Sequence, residues 1–486
     1  MGAGPIKDLS CARRAPVRRT LTGYDGGMIR PRFLARFLAH PPERPALDWE
    51  GRTWTYGDLR ELGERTAGWL AAQGVHPGDR VAIQLENGLP LVAAHLGCMA
   101  LGAVRVPLNV HYREVELAPI IEDAAPVLVI TPTPERFIGV RCVPSVGEGR
   151  PVGEWVGGPV TAWLFTSGTT GRPKGVPQTW EMWTANLDAL AECWALRADD
   201  VLWLTLPMFH THGLVLGFHG TLLRGARLIL AARFEPVAPP PEATLFFGVP
   251  TYFRRWLSLM QVEPAAFSGL RLLVSGSDGL PVEVSDAVHA ALGQRVLERY
   301  GMTETVMITS NPGVGERRAG TVGRPLADTD VRLVDGEVQV RGPAVFHGYQ
   351  PRPDPSAFTE DGWFRTGDAG EWDEAGYLRI VGRKKDLVIV GGVNVSPAEV
   401  EHALSAAPGV VEVGCCGVPD PDLGEVVGAA VVPWADADRN TVLAGLDAVA
   451  RGLSGLKRPR RVVFVESLPR NALGKLQRSR LLPLFR

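Results

Sequence analysis

Eleven residues from Phe165 to Gly175, in the order Phe-Thr-Ser-Gly-Thr-Thr-Gly-Arg-Pro-Lys-Gly, carry the densest chemistry in the 486-residue chain. Gly168 and Gly171 permit positive φ and a close backbone approach. Successive N–H groups in such a turn form a concave anion site. The hydroxyls of Thr166, Ser167, Thr169 and Thr170 add neutral donors, and Lys174 adds a charge. Such a set suits a triphosphate. It is not the Walker arrangement, in which Gly-Lys-Ser/Thr opens a helix. Pro173 precedes the lysine and Gly175 follows it, so Lys174 is expected outside a helix. By composition, a plain Gly/Thr surface loop fits as well.

A second group, Arg299-Tyr300-Gly301-Met302-Thr303-Glu304, offers a flat face for adenine at Tyr300 and a hydroxyl for a phosphate oxygen at Thr303. Glu304 is a hard oxygen ligand of the kind that Mg2+ takes together with phosphates. Asp368, after Gly367, can accept two ribose hydroxyls or close an Asp turn. His210 and His212 lie two apart with no third metal ligand near them in the sequence, and a histidine satisfied at a strand end is the plain alternative. Arg254, Arg255 and Lys475, taken singly, read as solvated charges. Gly391 and Gly392 allow a close approach, and Pro397 suits the first turn of a helix carrying Glu399 and Glu401.

Taken in order, these segments resemble the signatures of the acyl-adenylate-forming (AMP-binding) enzymes, which comprise acyl-CoA synthetases, luciferases and adenylation domains. The resemblance runs from Arg44 to Arg480. It implies an α/β fold with a large N-terminal domain of doubly wound sheets plus a β-rich subdomain (28–384). A small mobile C-terminal α/β domain (385–486) follows. It implies ATP, Mg2+ at Glu304, and CoA as co-substrate in a two-step reaction. Thr166, Ser167, Gly168, Thr169, Thr170, Gly171 and Lys174 would hold phosphates. Ser277, Arg299, Tyr300, Gly301, Met302 and Thr303 would line the nucleotide site, with Asp368 and Arg383 on the ribose. Lys385 would be the hinge, and Gly391 and Gly392 the loop entering for the thioester step. Lys475 would reach across the domain interface to the α-phosphate. Thr303, Glu304, His210 and Lys475 are thus the expected catalytic residues, with His210 lining the acyl channel and His212 close to the carboxylate.

Three runs narrow the acid: Leu206 to Gly217, Gly248 to Arg255, and Arg299 to Thr305 with Met307 are similar to malonyl-CoA synthetases. In those enzymes an arginine at the position of Arg255 grips the distal carboxylate. The resemblance therefore implies malonate or methylmalonate, among His210, His212, Arg255, Ser277 and Met307. A second carboxylate entering an acyl pocket must be paired or it resists burial, and a guanidinium pairs it bidentately. Open alternatives are a medium-chain or aryl acid, a carrier-protein thiol in place of CoA, and a catalytically silent nucleotide-binding paralogue.

The elements that must position these residues follow from patterning. Short apolar runs alternate with amphipathic stretches, as in βαβ units of a largely parallel sheet. Strands are expected at Arg80–Leu85, Ala103–Pro107, Val127–Ile130, Ala162–Phe165, Val201–Leu206, Ala226–Leu230, Thr244–Phe247, Leu270–Val274 and Val296–Arg299, with helices between. After Val322 short strands and an Asp335-Gly336 turn mark a β-rich subdomain. The last hundred or so residues suffice for a small domain. Residues 1–27 hold five basic residues and no apolar core, so they read as a disordered arm rather than a secretory leader. The apolar segment Leu89 to Val106 is broken by Pro90, His95 and Arg105, which points to a buried helix and strand rather than a membrane span. With 51 basic against 53 acidic residues, nothing draws the chain to nucleic acid. Six cysteines without a Cys-x-x-Cys pair indicate neither a zinc site nor a disulfide framework. A cytoplasmic monomer or homodimer is the expectation.

Overall fold

The computed structural model describes residues 31–166, 172–391, 393–470 and 476–485. The expectations for residues 1–27, Ser167, Gly168, Thr169, Thr170, Gly171, Gly392 and Lys475 lie outside them.

After a first helix, Arg32–Ala39, the chain forms a hairpin, Pro45–Trp49 and Arg52–Thr55. Its two turn residues, Glu50 (φ 48°) and Gly51 (φ 77°), are both left-handed, as a right-twisted hairpin requires. Thr55 then caps the helix Tyr56–Ala72, accepting from the Asp58 N–H while Asp58 accepts from the Thr55 N–H. From there the chain builds a six-stranded sheet in the order Cys142–Val143, Leu128–Ile130, Arg80–Ile83, Val104–Pro107, Val160–Thr166, Lys174–Thr179. All its pairs are parallel except the last. Lys174–Thr179 has no counterpart in the sequence reading, because Pro177 interrupts its donors. An edge strand tolerates that loss. Thr166 sits opposite Lys174 in the register, so the glycine loop joins two antiparallel strands instead of leading a strand into a helix.

A nine-stranded sheet lies beyond. Its centre is the parallel set Arg227–Leu230, Val201–Leu204, Leu245–Gly248, Leu272–Ser275 and Leu297–Tyr300. The first hairpin adds to one edge, and the short antiparallel strands Thr309–Ser310 and Arg324–Pro325 to the other. One large apolar core contains residues of both sheets, including Val81, Ile83, Leu204 and Leu245. It also takes in the helix Leu89–Leu101, buried from Leu91 onward, and Trp180, Trp183 and Trp194.

The β-rich stretch forms a four-stranded antiparallel sheet, Asp330–Val334, Glu337–Arg341, Phe364–Trp372 and Leu378–Arg383. The short turn Lys384–Asp386 leads out of it. The next strand, Val388–Val390, belongs to a separate five-stranded sheet with its own core around Val427, Val431 and Leu446. That unit touches the rest of the chain where Ser396 Oγ donates to the Val381 carbonyl (2.6 Å) and where His402 meets Glu283 (2.8 Å).

Candidate active site

Parallel strands deliver their C-terminal ends side by side, and an open α/β sheet binds ligands there. In the nine-stranded sheet those ends are Leu204, Gly248, Ser275 and Tyr300. The segment after Leu204 carries His210 and His212. It then winds into a π-helix, His212–His219, buried throughout. A Cβ on Gly213 would lie 2.3 Å from the Pro207 carbonyl oxygen, so the tight entry into this turn requires glycine. Wide helical turns of this kind concentrate at functional sites. The His212 ring stacks on Phe247 with centroids 6.1 Å apart.

Burial sets the electrostatics here. It lowers the His210 pKa to about 4 and the His212 pKa well below the ordinary value, the latter helped by Arg299 and His210. Both rings are therefore neutral at neutral pH. Neither ring nitrogen of His212 and neither Nε2 of His210 has a partner among the described residues. Arg299 is 5% exposed, and burial lowers its pKa to about 9, so it stays charged. Its Nε and Nη2 likewise lack partners among the described residues. The guanidinium lies against Gly276, where a Cβ would come 2.2 Å from Arg299 Cζ.

A second cluster forms where the four-stranded sheet abuts Tyr300. The Tyr300 hydroxyl donates to Asp368 Oδ2 (2.5 Å), and Arg383 Nε is 2.8 Å from Asp368 Oδ1. Three residues assigned to the nucleoside from separate motifs thus meet. Gly301 is pressed against the Val306 carbonyl, 2.0 Å from where a Cβ would sit. The chain then turns through Val306 at φ 55°, an uncommon conformation for a buried β-branched residue. Glu304 is 3% exposed; its Oε1 accepts from the Tyr349 hydroxyl (2.8 Å), while Oε2 has no partner among the described residues. Burial raises its pKa, and a cation at Oε2 would favour the ionised form.

Other expected residues fall as follows. Thr303 and Met302 are half-buried, and the Thr303 carbonyl accepts from Gln178 Nε2 (2.6 Å). Met307 is buried and its backbone is held both ways by the Asn186 amide. Ser277 is exposed and left-handed (φ 70°) beyond the strand Leu272–Ser275. Arg255 lies on the exposed side of the helix Pro250–Val262, close enough to Tyr252 to act on its phenol electrostatically, so the structure does not bury it. Lys385 is exposed in the turn between two sheets, and Gly391 follows with φ 57°. Thr166 ends its strand opposite Lys174. Tyr349 and Asn186 were not anticipated, nor was Asp354, whose Oδ2 lies 2.8 Å from Lys174 Nζ. Their neighbours in sequence carry no chemistry of their own, and only long-range packing brings them to the site. Among the described residues no group of three His, Cys, Asp or Glu is placed to hold a metal.

The order of the signatures along the chain agrees with the comparisons. The AMP-binding enzyme family matches residues 34–350, and the AMP-binding enzyme C-terminal domain matches residues 399–475. The chain belongs to the AMP-binding enzyme family. It is 35% identical to a feruloyl-CoA synthase of Amycolatopsis sp, over 90% of this chain and 94% of that one. ATP-bound MatB of Rhodopseudomonas palustris is 36% identical with a TM-score of 0.86, covering 94% of this chain and 99% of that one. A malonyl-CoA ligase complex with methylmalonyl-CoA and AMP is 39% identical with a TM-score of 0.65, covering 91% and 100%. The chain is an AMP-forming acid–thiol ligase, an acyl-CoA synthetase that uses a carboxylate, ATP and CoA. Among the ligase's described residues no helix is long and apolar enough to cross a membrane.

Proposed function

We propose that the ligase activates a small dicarboxylic acid, malonate or methylmalonate, and transfers it to CoA. The observation that carries this reading is Arg299: a charged, buried guanidinium beside His212 with two nitrogens unpartnered among the described residues. A buried cation in that condition is stabilised by an incoming anion. The distal carboxylate of malonate is such an anion, and its other carboxylate is then left for activation. Ferulate, named for one relative, would leave the guanidinium unmatched. Arg255, on the helix that follows Gly248, supplies a second positive charge from the solvent side.

In the first step a carboxylate oxygen attacks the α-phosphorus of ATP and diphosphate leaves. The loop from Thr166 to Lys174 holds the departing phosphates, and Tyr300, Asp368 and Arg383 hold the nucleoside. Neutral His212 donates to the reacting carboxylate without neutralising it. Glu304 Oε2 fits Mg2+, which when bound supplies charge for the phosphates. Lys475 offsets charge at the α-phosphate. The unit after Lys385 then turns so that the Gly391–Gly392 loop admits the thiol, which attacks the acyl carbonyl and releases AMP. The test is diphosphate release across malonate, methylmalonate, acetate, butyrate and ferulate, with and without CoA. Malonate or methylmalonate is expected to lead, and Arg299→Met to lose them at least 100-fold in kcat/KM while acetate falls less than tenfold. A parallel fall for all acids removes the dicarboxylate assignment.

A further inference from the structure

Lys174 Nζ lies 2.8 Å from Asp354 Oδ2 and 4.6 Å from the centroid of the Tyr349 ring. Asp354 Oδ1 accepts from both the Ser356 N–H (3.2 Å) and the Ser356 hydroxyl (2.5 Å), which fixes the carboxylate. The pair is partly sheltered, with Lys174 29% and Asp354 32% exposed. The segment that brings Asp354 here is anchored by backbone at two points of the site. Gln350 N–H donates to the Gly175 carbonyl (3.0 Å), and Phe346 N–H donates to the Glu304 carbonyl (2.8 Å). Tyr349, between those anchors, packs its ring on Lys174 and gives its hydroxyl to Glu304. One strap therefore reaches the cation and the carboxylate expected on the two sides of a polyphosphate.

We propose that Asp354 is a competing anion: it and the polyphosphate contend for Lys174, so Asp354 sets how tightly the ligase holds ATP and how readily it lets diphosphate go. This rests on reading Lys174 as the phosphate-loop lysine. A single ammonium has three donors and one charge. Phosphate oxygens that engage it must share or displace the carboxylate 2.8 Å away. The free energy of the Lys174–Asp354 pair is then subtracted from every polyphosphate that binds and returned when it departs. Tight ground-state binding of ATP and diphosphate does nothing for the chemical step, so such a counterweight favours turnover. The Lys174 hydrogen bond holds the Asp354 carboxyl below its usual range, so it stays anionic at neutral pH.

Calorimetric titration with inorganic diphosphate, ATP and AMP at fixed Mg2+ tests this on the full chain. Asp354→Asn is expected to tighten diphosphate and ATP about two- to fivefold, the size of a partly exposed ion pair. AMP, which lacks the contested phosphates, is expected to change less than twofold. In a Lys174→Gln background the same substitution is expected to have no effect, because the coupling runs through the lysine. Weaker or unchanged diphosphate binding by Asp354→Asn, or equal tightening in both backgrounds, would overturn the proposal. Diphosphate binding that survives Lys174→Gln undiminished overturns the phosphate role of Lys174 instead, and the proposal with it. Asp354→Ser replaces Asp354→Asn if thermal melts show the latter unfolded.

Discussion

Gly276 shows how a single missing methyl group shapes the pocket. Its absent Cβ would overlap Arg299 Cζ at 2.2 Å and Nη1 at 2.3 Å, so the guanidinium rests where only glycine allows it. Gly276→Ala is therefore expected to push Arg299 aside without changing any charge. The KM for the acid should rise at least tenfold while the KM for ATP moves less than twofold, measured by diphosphate release at varied acid and varied ATP. Equal KM values for variant and parent would mean that Arg299 does not need this position. The residue types at 276 and 299 are plain in the sequence, but their contact is not. Arg299 lies on the strand Leu297–Tyr300 and Gly276 just past the end of its neighbour Leu272–Ser275, and which side chain leans on which backbone is set by the sheet register.

At the scale of elements, Arg105 joins the phosphate side to the acyl side. It sits in the strand Val104–Pro107, fully buried, and donates through Nε to the Thr161 carbonyl (3.1 Å) and through Nη2 to the Thr161 hydroxyl. Its Nη1 meets His219 Nε2 at 2.7 Å. An arginine only donates, so His219 accepts at Nε2 and gives its Nδ1 proton to the Leu214 carbonyl (2.8 Å). Thr161 lies near the start of the strand Val160–Thr166 that leads to the glycine loop, and His219 ends the π-helix that starts at His212. The Trp180 and Trp183 rings lie 5.3 and 5.0 Å from the guanidinium, which offsets part of its desolvation. Arg105→Met leaves the Thr161 carbonyl and His219 without their donor and is expected to cost about 2–4 kcal/mol of stability. Urea denaturation checks this, and adding His219→Leu should recover part of the loss; additive losses would show the two residues to be independent. Sequence reading met Arg105 only as a break in an apolar run, because nothing local reveals a buried cation whose partners lie 56 and 114 positions away.

For the whole molecule, the proposed reaction divides between two units joined at Lys384–Asp386, and the halves can be measured apart. Lys475→Ala is expected to abolish adenylate formation yet keep thioester formation from supplied acyl-adenylate. Diphosphate exchange and CoA consumption report the two steps, and equal loss of both would contradict the division. The sequence by itself determined the family, the alternation of strands and helices and the Asp335-Gly336 turn. Each of these is encoded in contiguous residues through motif order, glycine or apolar period. Tertiary structure decided that Lys174 opens an antiparallel edge strand, that Arg299 is buried while Arg255 is exposed, and that Tyr349 and Asp354 reach the phosphate side. Those facts depend on which distant surfaces pack together and exclude water, and burial of that kind has no period or spacing along the chain.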